Sequence, residues 1–249
     1  MARAALRRRL SWQLAEVVSN EHESARTHRL TLDVPDWSGH LPGQHLDVRL
    51  TAPDGYTAQR SYSIASSSER PYVELVVERL PDGEVSPYLT DELRTGDQLE
   101  LRGPIGGYFV WHRDIDNAPV QLIAGGSGVV PFLAMLQHHA ASGSSVPMHL
   151  LYSARNVDDV IGGSQLRTAN DAEVTITLSR TAPDDWQGPR GRVDRDLLAQ
   201  HSVRPESMPR VYICGPTSFV EATAKLMVEL GHDTAAIRTE RFGGIGGAS

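Results

Sequence analysis

The chain has 249 residues, of which 40% are hydrophobic and 22% charged, with a formal net charge of −7 and one cysteine. That length holds two modest domains or one large one, and the composition is that of an ordinary globular protein. The acidic balance argues against a nucleic-acid binder, which carries a basic face, and a lone Cys214 excludes both an internal disulfide and a thiolate-held iron–sulfur cluster.

At the N-terminus, Arg3, Arg7, Arg8 and Arg9 are followed by no apolar segment, so a solvated tail is expected rather than a signal peptide. No run of about twenty apolar residues is present, so no membrane span is expected. A reducing, cytoplasmic setting fits this usage.

The first half then reads as short strands: Trp12–Ser19, Arg26–Val34, Gln44–Thr51, Arg60–Ala65, Tyr72–Glu78 and Gln98–Arg102. Pro, Gly, Asn and Asp turns punctuate them, and their close spacing favours a closed antiparallel barrel. In Arg60 to Ser67, alternation puts Arg60, Tyr62 and Ile64 on one face and Ser61, Ser63 and Ala65 on the other. Such a run offers a guanidinium for a phosphate, a ring for stacking and small residues for close approach. On the residues alone it fits a polar edge strand with a Ser-rich turn equally well. Gly83-Glu84-Val85-Ser86 opens a helical stretch, Val85–Leu93, whose free N–H groups suit a diphosphate, although a capped turn explains it as well. Gly103 to Phe109 reads as a chain reversal. Trp111 to Ala118, polar and charged, sets the expected boundary between domains at 1–113 and 118–249.

From Pro119 strands and helices alternate. Val120–Ala124, Met148–Tyr152, Val174–Ser179, Val211–Cys214 and Ala236–Glu240 are expected strands. Val130–Ala141, Ser164–Ala169, Asp194–Gln200 and Ser218–Leu230 are expected helices. This pattern predicts a parallel, doubly wound sheet, with ligands at the carboxyl ends of its strands near Gly125, Tyr152, Ser179 and Cys214. Gly125 to Phe132 follows a strand and opens a helix, but Pro131 stands where the dinucleotide fingerprint needs glycine. Cys214 after Val-Tyr-Ile reads, on general grounds, as a small buried hydrophobe. The ten histidines show no metal-ligand spacing.

Five segments, taken in order, carry a resemblance over about Trp12 to Gly244. Arg60 to Ser67, Gly83 to Leu89, Gly103 to Phe109, Gly125 to Phe132 and Cys214 to Pro216 resemble the motifs of the ferredoxin–NADP reductase family. The resemblance implies two domains: an antiparallel Greek-key β-barrel for FAD, then an α/β parallel-sheet domain for NAD(P). It implies that Arg60, Gly83, Val85 and Ser86 hold the FAD phosphates, that Tyr62 stacks on the isoalloxazine and Ser63 bonds near its N5, that Ser61 also belongs to the FAD site, and that Phe242 covers the flavin or nicotinamide. Gly126, Ser127, Gly128, Cys214, Gly215 and Pro216 would meet the nicotinamide nucleotide, and Ser63, Cys214 and Glu240 would be the catalytic set. Ser153, Arg155, Ser179 and Arg180 resemble a 2′-phosphate site, which favours NADPH. Asp184 and Asp185 nearby, and the lack of the Lys/Arg-x-Tyr that often follows, leave NADH open.

The expected activity is hydride transfer from the nicotinamide to FAD, with electrons leaving to a separate acceptor: ferredoxin, flavodoxin, or an oxygenase or P450 system. A flavin reductase supplying free reduced flavin, or a non-catalytic nucleotide-binding subunit, are the alternatives.

Overall fold

In the computed structural model, residues 10–112 and 117–242 are described. The Arg-rich start and Gly243-Gly244 lie outside them, as does most of the segment at the expected boundary.

Six strands build the first sheet: β1 (Gln13–Ser24), β2 (Thr27–Asp33), β3 (His45–Thr51), β4 (Thr57–Ser63), β5 (Val73–Glu78) and β6 (Gln98–Ile105). All pair antiparallel in the order β4-β3-β6-β1-β2-β5. An antiparallel bridge between Ile64 and Leu75, with Ala65 N–H donating to the Glu74 carbonyl at 2.8 Å, joins the two outer strands and closes the barrel. With β3, β4 and β5 successive and β6 returning beside β3, this is the expected Greek key. Alternate strand residues, among them Val17, Leu30, Leu46, Val48, Leu75 and Leu101, fill its interior.

β4 begins three residues earlier than the sequence suggested and stops at Ser63. The β3–β4 turn fixes this register, because Ala52 N–H donates to Tyr56 O and Gly55 N–H to Ala52 O, which pairs Thr51 with Thr57. The helix expected from Val85 is a single turn, Tyr88–Glu92, preceded by Pro87.

The second sheet is parallel, in the order β11-β10-β7-β8-β9, from β7 (Val120–Gly125), β8 (Met148–Ala154), β9 (Glu173–Leu178), β10 (Arg210–Pro216) and β11 (Ile237–Phe242). Its helices are α1 (Val130–Ser142), α2 (Gly163–Arg167), α3 (Arg195–His201) and α4 (Thr217–Glu229). Alternation along the strands splits the packing between two faces. Leu122, Ala124, Tyr152, Tyr212 and Cys214 pack with Phe132 and Leu133 of α1. Ile123, Leu151, Val211 and Ile213 pack with Leu198 of α3 and Val220 and Met227 of α4. The sheet is doubly wound, as expected.

The stretch from Trp111 is not the solvated connection its neighbours implied. Trp111 is fully buried, its ring 5.6 Å from His138 and 5.7 Å from His139 of α1. Phe109 and Trp111, with Ala65 and Val76 of the barrel, belong to the α1-side core of the parallel sheet. The two halves share an apolar seam, which holds the site between them.

Candidate active site

Strand order reverses between β7 and β10, and the crevice outside their carboxyl ends is where a doubly wound sheet presents a ligand. One crevice here gathers the ends of four parallel strands: Gly126 and Ser127 after β7, Ala154 and Arg155 at the end of β8, Pro216 of β10 and Phe242 of β11. The barrel supplies its other wall through Ser24, Arg26, Thr27 and Glu78. The Ser127 hydroxyl donates to Glu78 at 2.9 Å, binding the glycine loop to β5.

The loop sits where it does because its glycines allow it. Gly126 adopts φ +55°, a left-handed conformation costly for other residues. A Cβ on Gly128 would collide with the Cys214 carbonyl, and one on Gly125 would lie 2.8 Å from the Phe219 ring. Pro131 stands in the first turn of α1, where its missing N–H costs nothing. The departure from the dinucleotide fingerprint is thus compatible with the same strand–loop–helix geometry.

Cys214 and Glu240 are register partners in β10 and β11. Burial pushes the Cys214 thiol well above its ordinary value, and the Glu240 carboxylate adds to the rise. No nucleophilic thiolate forms there. Burial raises Glu240 to about 7, and its Oε2 is enclosed without a hydrogen-bond partner among the described residues. Its Oε1 lies 3.8 Å from His45 Nδ1. His45 stands opposite Ser63 in the β3–β4 pair, so both side chains project from one face of the barrel wall. The parallel sheet thus sets Glu240, beside Cys214, against the barrel at His45. His45 is held below its usual value by burial, which Asp47 opposes. The motifs did not single out His45, although counting back across the Pro53-Asp54-Gly55 turn places it opposite Ser63.

Farther along β4, Arg60 is half-exposed and donates to Glu84 at 2.7 Å, while Tyr56 donates to the other Glu84 oxygen at 2.7 Å. This pair brings Arg60 against the Gly83–Ser86 turn. A Cβ on Gly83 would lie 2.9 Å from the Ser86 hydroxyl, and that hydroxyl accepts from Leu80 N–H at 3.1 Å. Val85 is buried in the barrel core. Tyr62 is half-buried on that core, and burial lifts its phenol to about 12. Ser61 donates to Asp47 at 2.6 Å, and Asp47 also accepts from Arg102 at 2.6 Å. Ser66 and Ser67 are buried: Ser66 accepts from Glu74 N–H, and Ser67 N–H donates to Gln137 of α1. The Ser-rich tail of the motif therefore fastens the strand.

These residues fit FAD. An exposed guanidinium beside a tight glycine turn suits its diphosphate, and an enclosed, unpaired carboxyl oxygen of Glu240 suits the polar edge of a ring between the halves.

At the β8 and β9 ends, Arg180 N–H donates to Arg155 O at 2.9 Å, which sets the two arginines side by side, both exposed. Ser179 N–H and hydroxyl both donate to the Ala154 carbonyl, at 2.8 and 3.0 Å. Ser153 is half-buried in β8. Arg190 donates to the carbonyls of Pro183, Asp184 and Trp186, fixing the loop that bears Asp184 and Asp185.

A Greek-key barrel joined to a doubly wound sheet, with a crevice at the strand ends, defines a two-lobed flavin- and nicotinamide-binding oxidoreductase fold. Residues 14–110 match the oxidoreductase FAD-binding domain and residues 122–225 the oxidoreductase NAD-binding domain, and the chain belongs to the ferredoxin–NADP reductase-like family. It is similar to the glycine betaine monooxygenase reductase subunit of Chromohalobacter salexigens, 30% identical over 234 residues, 91% of this chain and 62% of that protein. It also resembles the toluate 1,2-dioxygenase electron transfer component of Pseudomonas putida, 29% identical over 204 residues, 81% of this chain and 58% of that one. The chain spans about three fifths of the length of these curated relatives. Among solved structures, the flavohem-like FAD/NAD-binding domain of nitric oxide dioxygenase from Vibrio cholerae O1 biovar El Tor superposes with a TM-score of 0.82 at 26% identity, covering 93% of this chain and 99% of that one.

Among the described residues no helix is long and apolar enough to cross a membrane.

Proposed function

We propose that the chain is the reductase of a multi-component system: hydride passes from NADPH or NADH to FAD, and electrons leave to a separate ferredoxin, flavodoxin, oxygenase or P450 partner. One observation carries this reading. The carboxyl ends of β7, β8, β10 and β11 converge on a crevice whose other wall is the barrel, so two nucleotides held by different lobes meet there. Two of the relatives, a monooxygenase reductase subunit and a dioxygenase electron transfer component, support the partner class. A reducing cytoplasm, which supplies the nicotinamide and keeps Cys214 a thiol, belongs to the same reading.

FAD, when bound, supplies the exchange between two-electron and one-electron chemistry. The chain's own residues bind and orient. In this proposal Arg60, Gly83, the Val85 backbone and Ser86 hold the diphosphate, and Tyr62 flanks the ring. Gly126, Ser127, Gly128, Gly215 and Pro216 line the nicotinamide nucleotide, and the Cys214 thiol acts as an apolar spacer. Glu240 and His45 hold a proton beside Ser63. Residues 1–113 and 118–249 serve as the FAD and NAD(P) domains. Arg155 and Arg180, set side by side, favour NADPH, although the Ser179 hydroxyl is committed to the backbone.

The deciding experiment is the visible spectrum of the purified protein, followed by anaerobic titration with NADH and NADPH. A protein without yellow flavin, or one that neither nucleotide bleaches, ends this reading. Arg180→Ala should lower kcat/KM for NADPH by about tenfold to a hundredfold and leave NADH nearly unchanged. Equal losses for both nucleotides remove Arg180 from the 2′-phosphate. The carboxylate already on Arg60 favours one second reading, a flavin reductase that releases its flavin, which equilibrium dialysis distinguishes.

A further inference from the structure

The crevice at the strand ends measures about 60 Å³, far less than the several hundred Å³ that a bound nucleotide fills. A side chain must move for a ligand to enter, and the lining identifies which. Arg26 of the barrel reaches across with Nη2 3.3 Å from Glu78 and Nε 3.1 Å from Asp159, while its own side chain stays 43% exposed. Its partners Glu78 and Asp159 are more enclosed, at 21% and 13%, so Arg26 is the member of each pair that solvent already reaches.

We infer that Arg26 is a phosphate ligand of the nicotinamide nucleotide, parked on Glu78 and Asp159 until the nucleotide arrives. The inference rests on reading this crevice as the nucleotide site. The closed lining is electrically balanced, Arg26 and Arg155 against Glu78 and Asp159, so beyond the exposed Arg155 a dianionic diphosphate gains a second cation only if Arg26 changes partner. That exchange costs little. Glu78 keeps the Ser127 hydroxyl at 2.9 Å, and Asp159 keeps the Asn156 amide at 3.1 Å. The lobes also stay joined without Arg26, through Ala25 N–H to Asp158 O at 2.9 Å, Gly162 N–H to Glu23 at 2.7 Å and Ser67 N–H to Gln137 at 2.9 Å. On the opposite side of the crevice, the Gly126–Val129 turn leads into the 13-residue helix α1, whose positive end adds to the same anion preference.

The sign of two substitutions tests this. The flavin-loaded protein and its Arg26→Gln and Asp159→Asn variants are titrated calorimetrically with NAD⁺, NADP⁺ and ADP-ribose, with flavin content and melting temperature as controls. Arg26→Gln should weaken all three ligands by about tenfold or more. Asp159→Asn, which removes a competing carboxylate while keeping its shape, should tighten them about threefold. If both variants bind more tightly, Arg26 is a latch and the assignment is wrong. If both bind more weakly, or Arg26→Gln binds like the wild type, Arg26 is structural and the assignment is equally wrong. Should Arg26→Gln not fold, Arg26→Lys takes its place: weaker binding of all three ligands beside tighter binding by Asp159→Asn upholds the assignment, and any other pair of results ends it. A wild type that binds none of the three at millimolar concentration overturns the nucleotide reading itself, together with this inference.

Discussion

At one end of the seam between the barrel and the parallel sheet, Glu23 and Glu74 share Arg29, each at 2.7 Å, and the second Glu23 oxygen accepts from Gly162 N–H. At the other end Glu240 lies in the same seam with His45 at 3.8 Å and an unpartnered Oε2. Burial pushes both Glu23 and Glu240 upward. For Glu23 the Arg29 hydrogen bond and charge outweigh it, and the carboxyl ends below its ordinary value. For Glu240 nothing offsets it, and the carboxyl sits at about 7. A saturated ion network is how a fold neutralises the cost of buried charge, and an uncompensated acid in a cleft marks a site that uses its proton.

Breaking the saturated end should have the largest effect. Arg29→Ala leaves Glu23 with only the Gly162 N–H and Glu74 with only Arg70 at 3.4 Å, and should cost about 3 kcal/mol of stability in urea unfolding, with the hydride-transfer rate of the surviving folded protein unchanged. A loss below about 1 kcal/mol would reduce this network to a solvated surface pair.

Glu240→Gln should behave in the opposite way. An acid whose folded pKa is raised stabilises the fold fully below its ordinary value of 4.5 and loses that contribution as pH rises toward 7. Cys214 stays a thiol across this range and His45 is present in both proteins, so the difference between wild type and Glu240→Gln reads Glu240. That difference should shift in favour of the variant by about 3 kcal/mol between pH 4.5 and 8. A pH-independent difference would mean that Glu240 is solvated and ionised as usual.

The two ends were not equally legible in the sequence. The short strands, the change of pattern at Pro119 and the five ordered motifs contained the two lobes, because strand alternation and glycine turns are local properties. Glu240 and Cys214 were legible because each belongs to a motif at a strand end. His45, Arg26, Glu78 and Asp159 were not singled out, since each gains its meaning from a neighbour supplied by another strand or the other lobe. Trp111 misled for the same reason: the residues that follow it in sequence are polar, and its neighbours in space include His138 and His139 of α1. The Ser-rich run divided, with Ser63 opposite His45 and Ser61, Ser66 and Ser67 tied to Asp47, Glu74 and α1.

The smallest expected effect compares Arg60 with Arg29, two arginines held by carboxylates in opposite settings. Arg29 is enclosed, whereas Arg60 and Glu84 are 52% and 50% exposed. An exposed pair can exchange its partner, so the Glu84 carboxylate competes with any phosphate that Arg60 takes. Arg60→Ala should weaken FAD by about tenfold or more, through loss of a charge-assisted contact. Glu84→Gln should tighten it, by about threefold to fivefold at low salt and less at high salt, because a screened carboxylate near a diphosphate repels only weakly. Riboflavin, which has no phosphate, should bind both variants as it binds the wild type. The measurement is flavin fluorescence quenching on the flavin-stripped protein. If Glu84→Gln weakens FAD instead, Glu84 is a ligand of the nucleotide rather than its competitor, and Arg60 is paired by design.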